Sequence, residues 1–176
     1  MAGAVGPGGS SCVDLVGMAL DPRLLRVAVS PGRAGAGVAP HLAHLPGHLI
    51  RRASQVHTEM WGRLVSTSVS SVQFAVLASL VRQEPLDQAG LARIIGLDPA
   101  SAHAVVHRLR ASGHLSLERS EQDARRSDLR LTEEGRRLHG ELLPRVEHLR
   151  RELATRLPPE EMATFLQLLQ EFVAAG

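Results

Sequence analysis

Lysine and tyrosine are absent from this 176-residue chain, and cysteine occurs once, at Cys12. A single thiol excludes an internal disulfide framework and fits a reducing, cytoplasmic setting. Aromatic residues make up only 2% against 44% hydrophobic residues overall, so a core has to be built from Leu, Val, Ala and Ile. No apolar run approaches the ~18 residues of a membrane span. The start of the chain lacks a charged region followed by an unbroken apolar stretch, so no secretory signal is expected. Also missing are a Ser/His/Asp constellation, a paired-carboxylate signature and a glycine-rich phosphate loop, and no enzymatic activity is expected. All 20 basic residues are arginine, while the net charge is only +2. The planar arginine fork suits phosphates and base edges, although a GC-rich coding bias produces the same skew. With so little net charge, a basic stripe has to be located along the chain.

Residues 1–40 are rich in Gly, Pro, Ala and Ser, with one apolar island between Val13 and Val29. Such a composition buries too little surface to offset its ordering entropy, which predicts a disordered arm. From Pro46 the pattern turns helical. Leu45, Leu49, Ala53, Val56, Met60 and Leu64 recur at three and four residues and predict a first helix near 46–66. Ser70 or Ser71 can cap a second helix running to Arg82. Asp87 caps a short third helix that stops at Gly96, and Asp98-Pro99 opens a fourth that stops at Gly113. Leucine at alternate positions in 114–117 and 129–131 predicts a β-hairpin with a long, arginine-rich tip over 118–128. Thr132 caps a fifth helix, with Leu138, Leu142, Val146, Leu149, Leu153 and Leu157 in a near-heptad seam and Pro144 expected to bend it. Pro158-Pro159-Glu160-Glu161 opens a sixth.

Two short helices joined by a tight glycine turn and followed by a charged hairpin describe a winged helix-turn-helix. The expected fold class is mainly α with a small β-hairpin wing, plus long N- and C-terminal dimerisation helices. The fourth helix buries one face and presents a ridge of Ala100, Ser101, His103, Ala104, His107 and Arg108. Small side chains at its N-terminal end let it sit deep in a major groove. Arg119, Arg125 and Arg126 on the hairpin suit a minor groove or phosphates. The first, fifth and sixth helices exceed what supporting that module requires, which predicts a homodimer on a palindromic double-stranded site.

Several short pieces carry a family resemblance in their order and spacing. They are Pro46-Gly47-His48-Leu49-Ile50-Arg51-Arg52, Gln73-Phe74-Ala75-Val76-Leu77, Leu86-Asp87-Gln88, Gly96-Leu97-Asp98, Arg108-Leu109, Gly113, Asp123-Ala124-Arg125-Arg126 and Leu131-Thr132-Glu133-Glu134-Gly135. Across about 46–175 the chain resembles the MarR-type regulators. The resemblance implies a MarR-like domain over 41–176, with a DNA-binding lobe at 67–132 and dimerisation helices at 41–66 and 133–176. It further implies a repressor that binds palindromic operators as a dimer and releases them on binding a ligand. By the match, Ser101, His103 and Ala104 face bases, Arg125 is the wing arginine, and Asp123 orders the wing tip. Pro99 and Ala100 depart from the pattern, standing where many relatives carry a basic residue and a hydroxyl. The opening of the first helix is similar to a branch that senses small aromatic or phenolic carboxylates. There the resemblance assigns effector contact to Arg51 and His57, with Trp61 one turn beyond. An Arg fork pairs with a carboxylate, and His donates to a ring hydroxyl or the acid.

Other readings stand beside these. Arg51 and Arg52 can be solvated helix arginines, His57 and Trp61 can be interface and core, and Arg125 and Arg126 a solvated wing face. His103 and His107 have a zinc-compatible spacing, as do His41, His44 and His48, but no third ligand accompanies the first pair and Pro46 interrupts the second. Neither a metal nor a cofactor is expected. The competing functions are a DNA-binding regulator with no small-molecule effector and a metal- or redox-responsive regulator.

Overall fold

A computed structural model describes residues 42, 44–119 and 127–174. The arm expected over 1–40 lies outside them, as does the segment 120–126 that holds Asp123, Arg125 and Arg126. Among the described residues the elements run α1 (Pro46–Leu64), α2 (Ser71–Arg82), β1 (Leu86–Asp87), α3 (Gln88–Ile95), α4 (Pro99–Ala111), β2 (Leu115–Arg119), β3 (Ser127–Leu131), α5 (Glu133–Ala154) and α6 (Pro159–Ala174). The chain is therefore mainly helical with a small winged sheet, and no described helix is long and apolar enough to cross a membrane.

The helix ends follow local chemistry. Ser70 closes a capping box, its Oγ accepting from the Gln73 amide while Gln73 Oε1 accepts from the Ser70 amide. Asp87, Asp98 and Thr132 each cap the helix that follows by accepting from the third amide beyond, at Gly90, Ser101 and Gly135. Gly96 ends α3 at φ 66°, a left-handed conformation that costs glycine little. Helix α1 stops at Leu64, short of residue 66: the Ser66 amide reaches back five residues to the Trp61 carbonyl, which also accepts the last helical bond from Val65. Helix α5 runs unbroken through Pro144.

Two buried clusters organise the packing. The first lies within the winged module: Val76, Leu77 and Leu80 of α2 meet Leu91, Val106, Leu109, Leu115, Leu129 and Leu131. Each such side chain taken fully out of water contributes about 1.5–3 kcal/mol. The second joins Met60, Trp61 and Val65 to Phe74 and to Leu142 and Leu149 of α5. Helix α2 supplies both clusters from different faces, and Leu138 packs against both. The winged module and the long helices thus share α2 as a common packing element.

Strand order in the sheet is β1-β3-β2, antiparallel throughout. The hairpin strands pair further towards the tip than the leucine alternation indicates, out to Arg119 opposite Ser127. Strand β1 has no counterpart in the sequence-based expectation; it places Leu86 opposite Leu129 and Asp87 opposite Asp128. Continuing that register would set residue 84 opposite Leu131. There the backbone pairing gives way to a side chain: Glu84 Oε1 accepts from the Leu131 amide, and Oε2 from Arg136 of α5. Glu84 therefore ties the end of α2, the base of the wing and the start of α5 together. Removing it strands a part-buried amide. Glu84→Ala should lower the free energy of urea unfolding by about 1–3 kcal/mol. Glu84→Gln keeps an acceptor and gives up only a half-exposed ion pair, so it should lose less than about 1 kcal/mol. Equal losses in the two variants would show that the ion pair, not the amide bond, is what matters.

Candidate nucleic-acid interface and effector site

Helices α3 and α4 meet across the Gly96 turn. Ala102, Val106 and Leu109 face the module core, which leaves Ser101, His103, Ala104, His107 and Arg108 exposed, as the sequence leads one to expect. Asp98 fixes the N-terminus of α4: its carboxylate accepts from the Ser101 amide at 2.9 Å. Hydrogen bonds from the Ser101 side chain and amide hold that carboxyl below its ordinary range. The rings of His103 and His107 stack one turn apart, with centroids 6.3 Å apart and planes 23° from parallel. Among the described residues no three His, Cys, Asp or Glu side chains gather as a metal site.

The hairpin rises directly from the end of α4. Ser112 Oγ bonds His114 Nδ1 at 2.7 Å, and the Thr132 hydroxyl donates to the Gly113 carbonyl at 2.7 Å, so the turn and the far end of β3 are stitched together. Arg119 is exposed on β2, and the wing residues Asp123, Arg125 and Arg126 belong to the segment outside the described residues. Two polar residues absent from the sequence-based set also border α4: Arg110 in its last turn and Ser116 on β2. Arg110 lies seven positions from His103, a spacing legible in the sequence. The nearness of Ser116 is not, because it depends on the direction in which the hairpin leaves the helix.

The candidate effector residues are placed differently from one another. Arg51 is exposed, its Nη2 3.3 Å from His48 Nδ1. His57 is half-buried and meets Trp61 with ring centroids 6.1 Å apart. Trp61 is 7% exposed, and its Nε1 donates to the Val69 carbonyl at 2.7 Å. From Trp61 the rings continue to Phe74, 5.8 Å away, and to His139 of α5, stacked on Phe74 at 5.2 Å. Burial lowers the pKa of His139, favouring the neutral ring in that stack. A cleft of about 470 Å³ opens beside Trp61, walled by Thr58, Gly62 and residues 66–73. Neither Arg51 nor His57 lines it. Residues six apart on a helix point about 120° from each other, and neither Arg51 nor His57 lines the second cleft along α1, walled by Val56, Glu59, Met60, Arg63 and Arg156.

A family model described as MarR family matches residues 67–126, a stretch that takes in α2, α3, α4 and β2 and ends just before β3. The chain is 40% identical to the PcaV transcriptional regulator from Streptomyces coelicolor, solved in complex with its natural ligand. That match has a TM-score of 0.74 and covers 79% of this chain and 99% of PcaV. The HTH-type transcriptional repressor NicR of Pseudomonas putida is 29% identical over 128 residues, covering 72% of this chain and 81% of NicR. BpsR of Bordetella bronchiseptica, whose DNA binding is regulated by 6-hydroxynicotinic acid, is 29% identical with a TM-score of 0.66, covering 72% of this chain and 97% of BpsR.

Proposed function

The chain belongs to the MarR family of transcriptional regulators, and we propose that it is a homodimeric repressor of a palindromic operator, released by a small aromatic carboxylate. The observation that carries the DNA reading is the exposed ridge of α4 beside the wing: Ser101, His103, Ala104, His107 and Arg108 on a helix whose opposite face is fully buried. Residues with short side chains at its start allow close approach to base edges. In this reading Arg125 and Arg126 add wing contacts and Asp123 orders the tip, assignments that rest on sequence.

The effector reading is supported by likeness to a regulator that answers to 6-hydroxynicotinic acid. It is also supported by the state of Arg51, which has no carboxylate partner among the described residues. A guanidinium left without an acid at the start of a long helix is suited to accept one from a ligand. His57 then supplies a ring donor, held against the largely buried Trp61. Because the clefts beside α1 are lined by neither Arg51 nor His57, this reading has the partner copy complete the pocket.

The test uses the full chain and a fluorescent duplex from its own upstream region, titrated with a panel of hydroxybenzoates and hydroxynicotinates. At least one acid should release the duplex. Arg51→Ala should bind DNA as the wild type does, yet need roughly 10–100 times more acid for half release, the worth of one charge-assisted contact. An unchanged acid requirement would remove Arg51 from the pocket. No response of the wild type to any acid would favour a regulator without this class of effector.

A further inference from the structure

We propose that the notch between α4 and β2 seats a phosphate of the DNA backbone, with Arg110 and Ser116 as its anchors beside His107. The notch has a volume of about 330 Å³ and is walled by His107, Arg110, Ala111, Leu115, Ser116 and Leu117. The inference rests on the DNA-binding reading and concerns a contact that the ridge and the wing tip do not include.

Shape favours this contact. A recognition helix occupies the major groove, and a wing reaches the neighbouring minor groove. One sugar-phosphate strand separates those grooves, so it has to pass between helix and hairpin. The floor of that passage is where α4 ends and β2 begins. His103, His107 and Arg110 lie at i, i+4 and i+7 along the flank of α4, and consecutive members of such a row are neighbours on a helix. Ser116, half-buried on β2, faces the same notch.

Charge agrees with shape. Among the described residues no acidic side chain lines the notch. Arg110 makes no ion pair among the described residues, and Glu118, the acidic residue of β2, is held by Arg130 at 2.8 Å. The donors available are an arginine fork, a hydroxyl and a ring nitrogen, a set suited to phosphate oxygens. Such a contact reads no bases. It fixes how deep and in which register α4 sits.

A phosphate contact of this kind should be salt-dependent and indifferent to base sequence. Binding of the wild type, Arg110→Ala, Arg110→Lys and Ser116→Ala is measured from low to high salt. Two duplexes are used, one from the upstream region and one of scrambled sequence and equal composition. Arg110→Ala should weaken both by a similar factor, roughly tenfold, and flatten the plot of log affinity against log salt by about 0.9 per protomer engaged. Arg110→Lys should keep the slope while losing part of the affinity, and Ser116→Ala should weaken both duplexes with the slope unchanged. Unaltered binding by Arg110→Ala, or a loss confined to the upstream duplex with the slope intact, would overturn the proposal. Failure of the wild type to bind either duplex would instead overturn the DNA-binding reading beneath it, and the notch with it. Arg110 is exposed, so unchanged thermal unfolding should accompany each result.

Discussion

Gly135→Ala is expected to destabilise the protein by about 2–4 kcal/mol, a lost helix cap added to an overpacked joint. A Cβ at this position would stand 2.1 Å from the His114 carbonyl oxygen and 3.1 Å from Leu131 Cδ2. Neither side can retreat freely. The same His114 carbonyl accepts from the Thr132 amide at 3.2 Å, the Thr132 hydroxyl holds the Gly113 carbonyl, and Thr132 Oγ1 in turn caps Gly135. Relief therefore requires α5 to lift off the base of the wing. Thermal unfolding followed by circular dichroism should show a fall of roughly 5–15 °C. Gly140 of the same helix is the control: it is exposed, and a Cβ there would meet nothing within 4 Å. Gly140→Ala should stabilise by about 0.5–1 kcal/mol through helix propensity alone. If Gly135→Ala melts with the wild type, the close approach of α5 to the turn at His114 is not a constraint.

The second large effect concerns α6. None of its 16 residues is buried within one chain. Phe165, Leu166, Leu168, Leu169, Phe172 and Val173 are all exposed, with Phe172 at 62% and Val173 at 69%. A helix of this length is marginal in water by itself, and a patch of two phenylalanines among aliphatic side chains is unusual on a monomer. In the proposed dimer the second copy covers it. The double variant Leu169→Glu/Phe172→Glu would place two charges in that interface, and burying them unpaired is prohibitive. Sedimentation velocity at micromolar concentration should find a monomer. Affinity for a two-half-site duplex should drop about 10²-fold or more, because two linked half-sites no longer bind together. A variant that remains dimeric with full affinity would move the interface elsewhere.

The two variants also separate the levels of the molecule. Gly135→Ala acts within one chain, at the joint between wing and long helix. The α6 variant leaves that joint alone and acts on the pairing of recognition helices. Both should weaken DNA binding, but only the first should do so with a lowered unfolding transition at high protein concentration in a still-dimeric protein.

What the sequence determined by itself is everything set by neighbours within a turn or two. Asp87, Asp98 and Thr132 each lie three residues before the amide they cap, Gly96 supplies the left-handed turn, and Ala102, Val106 and Leu109 recur at helical spacing. Those short-range rules are enough to place α4, its exposed ridge and the two hairpin strands, on which the proposed DNA-binding reading rests. Tertiary structure decided what depends on partners distant in the chain. Strand β1 is two residues long, too short for any alternation, and exists because Leu86 and Asp87 meet Leu129 and Asp128. Glu84 reads as a loop acid until it is seen to hold Leu131 and Arg136. Trp61 follows Arg51 and His57 along α1 as a pocket wall would, yet the fold makes it chiefly core, with its indole N–H spent on Val69 and only an edge turned to a cleft. Arg51 and His57 share a helix but not an environment, one exposed beside His48 and the other against Trp61. Helical spacing fixes the angle between two side chains, whereas what each of them meets is set by the elements that pack around the helix, and in the proposed dimer that includes, for Arg51, a second copy of the chain.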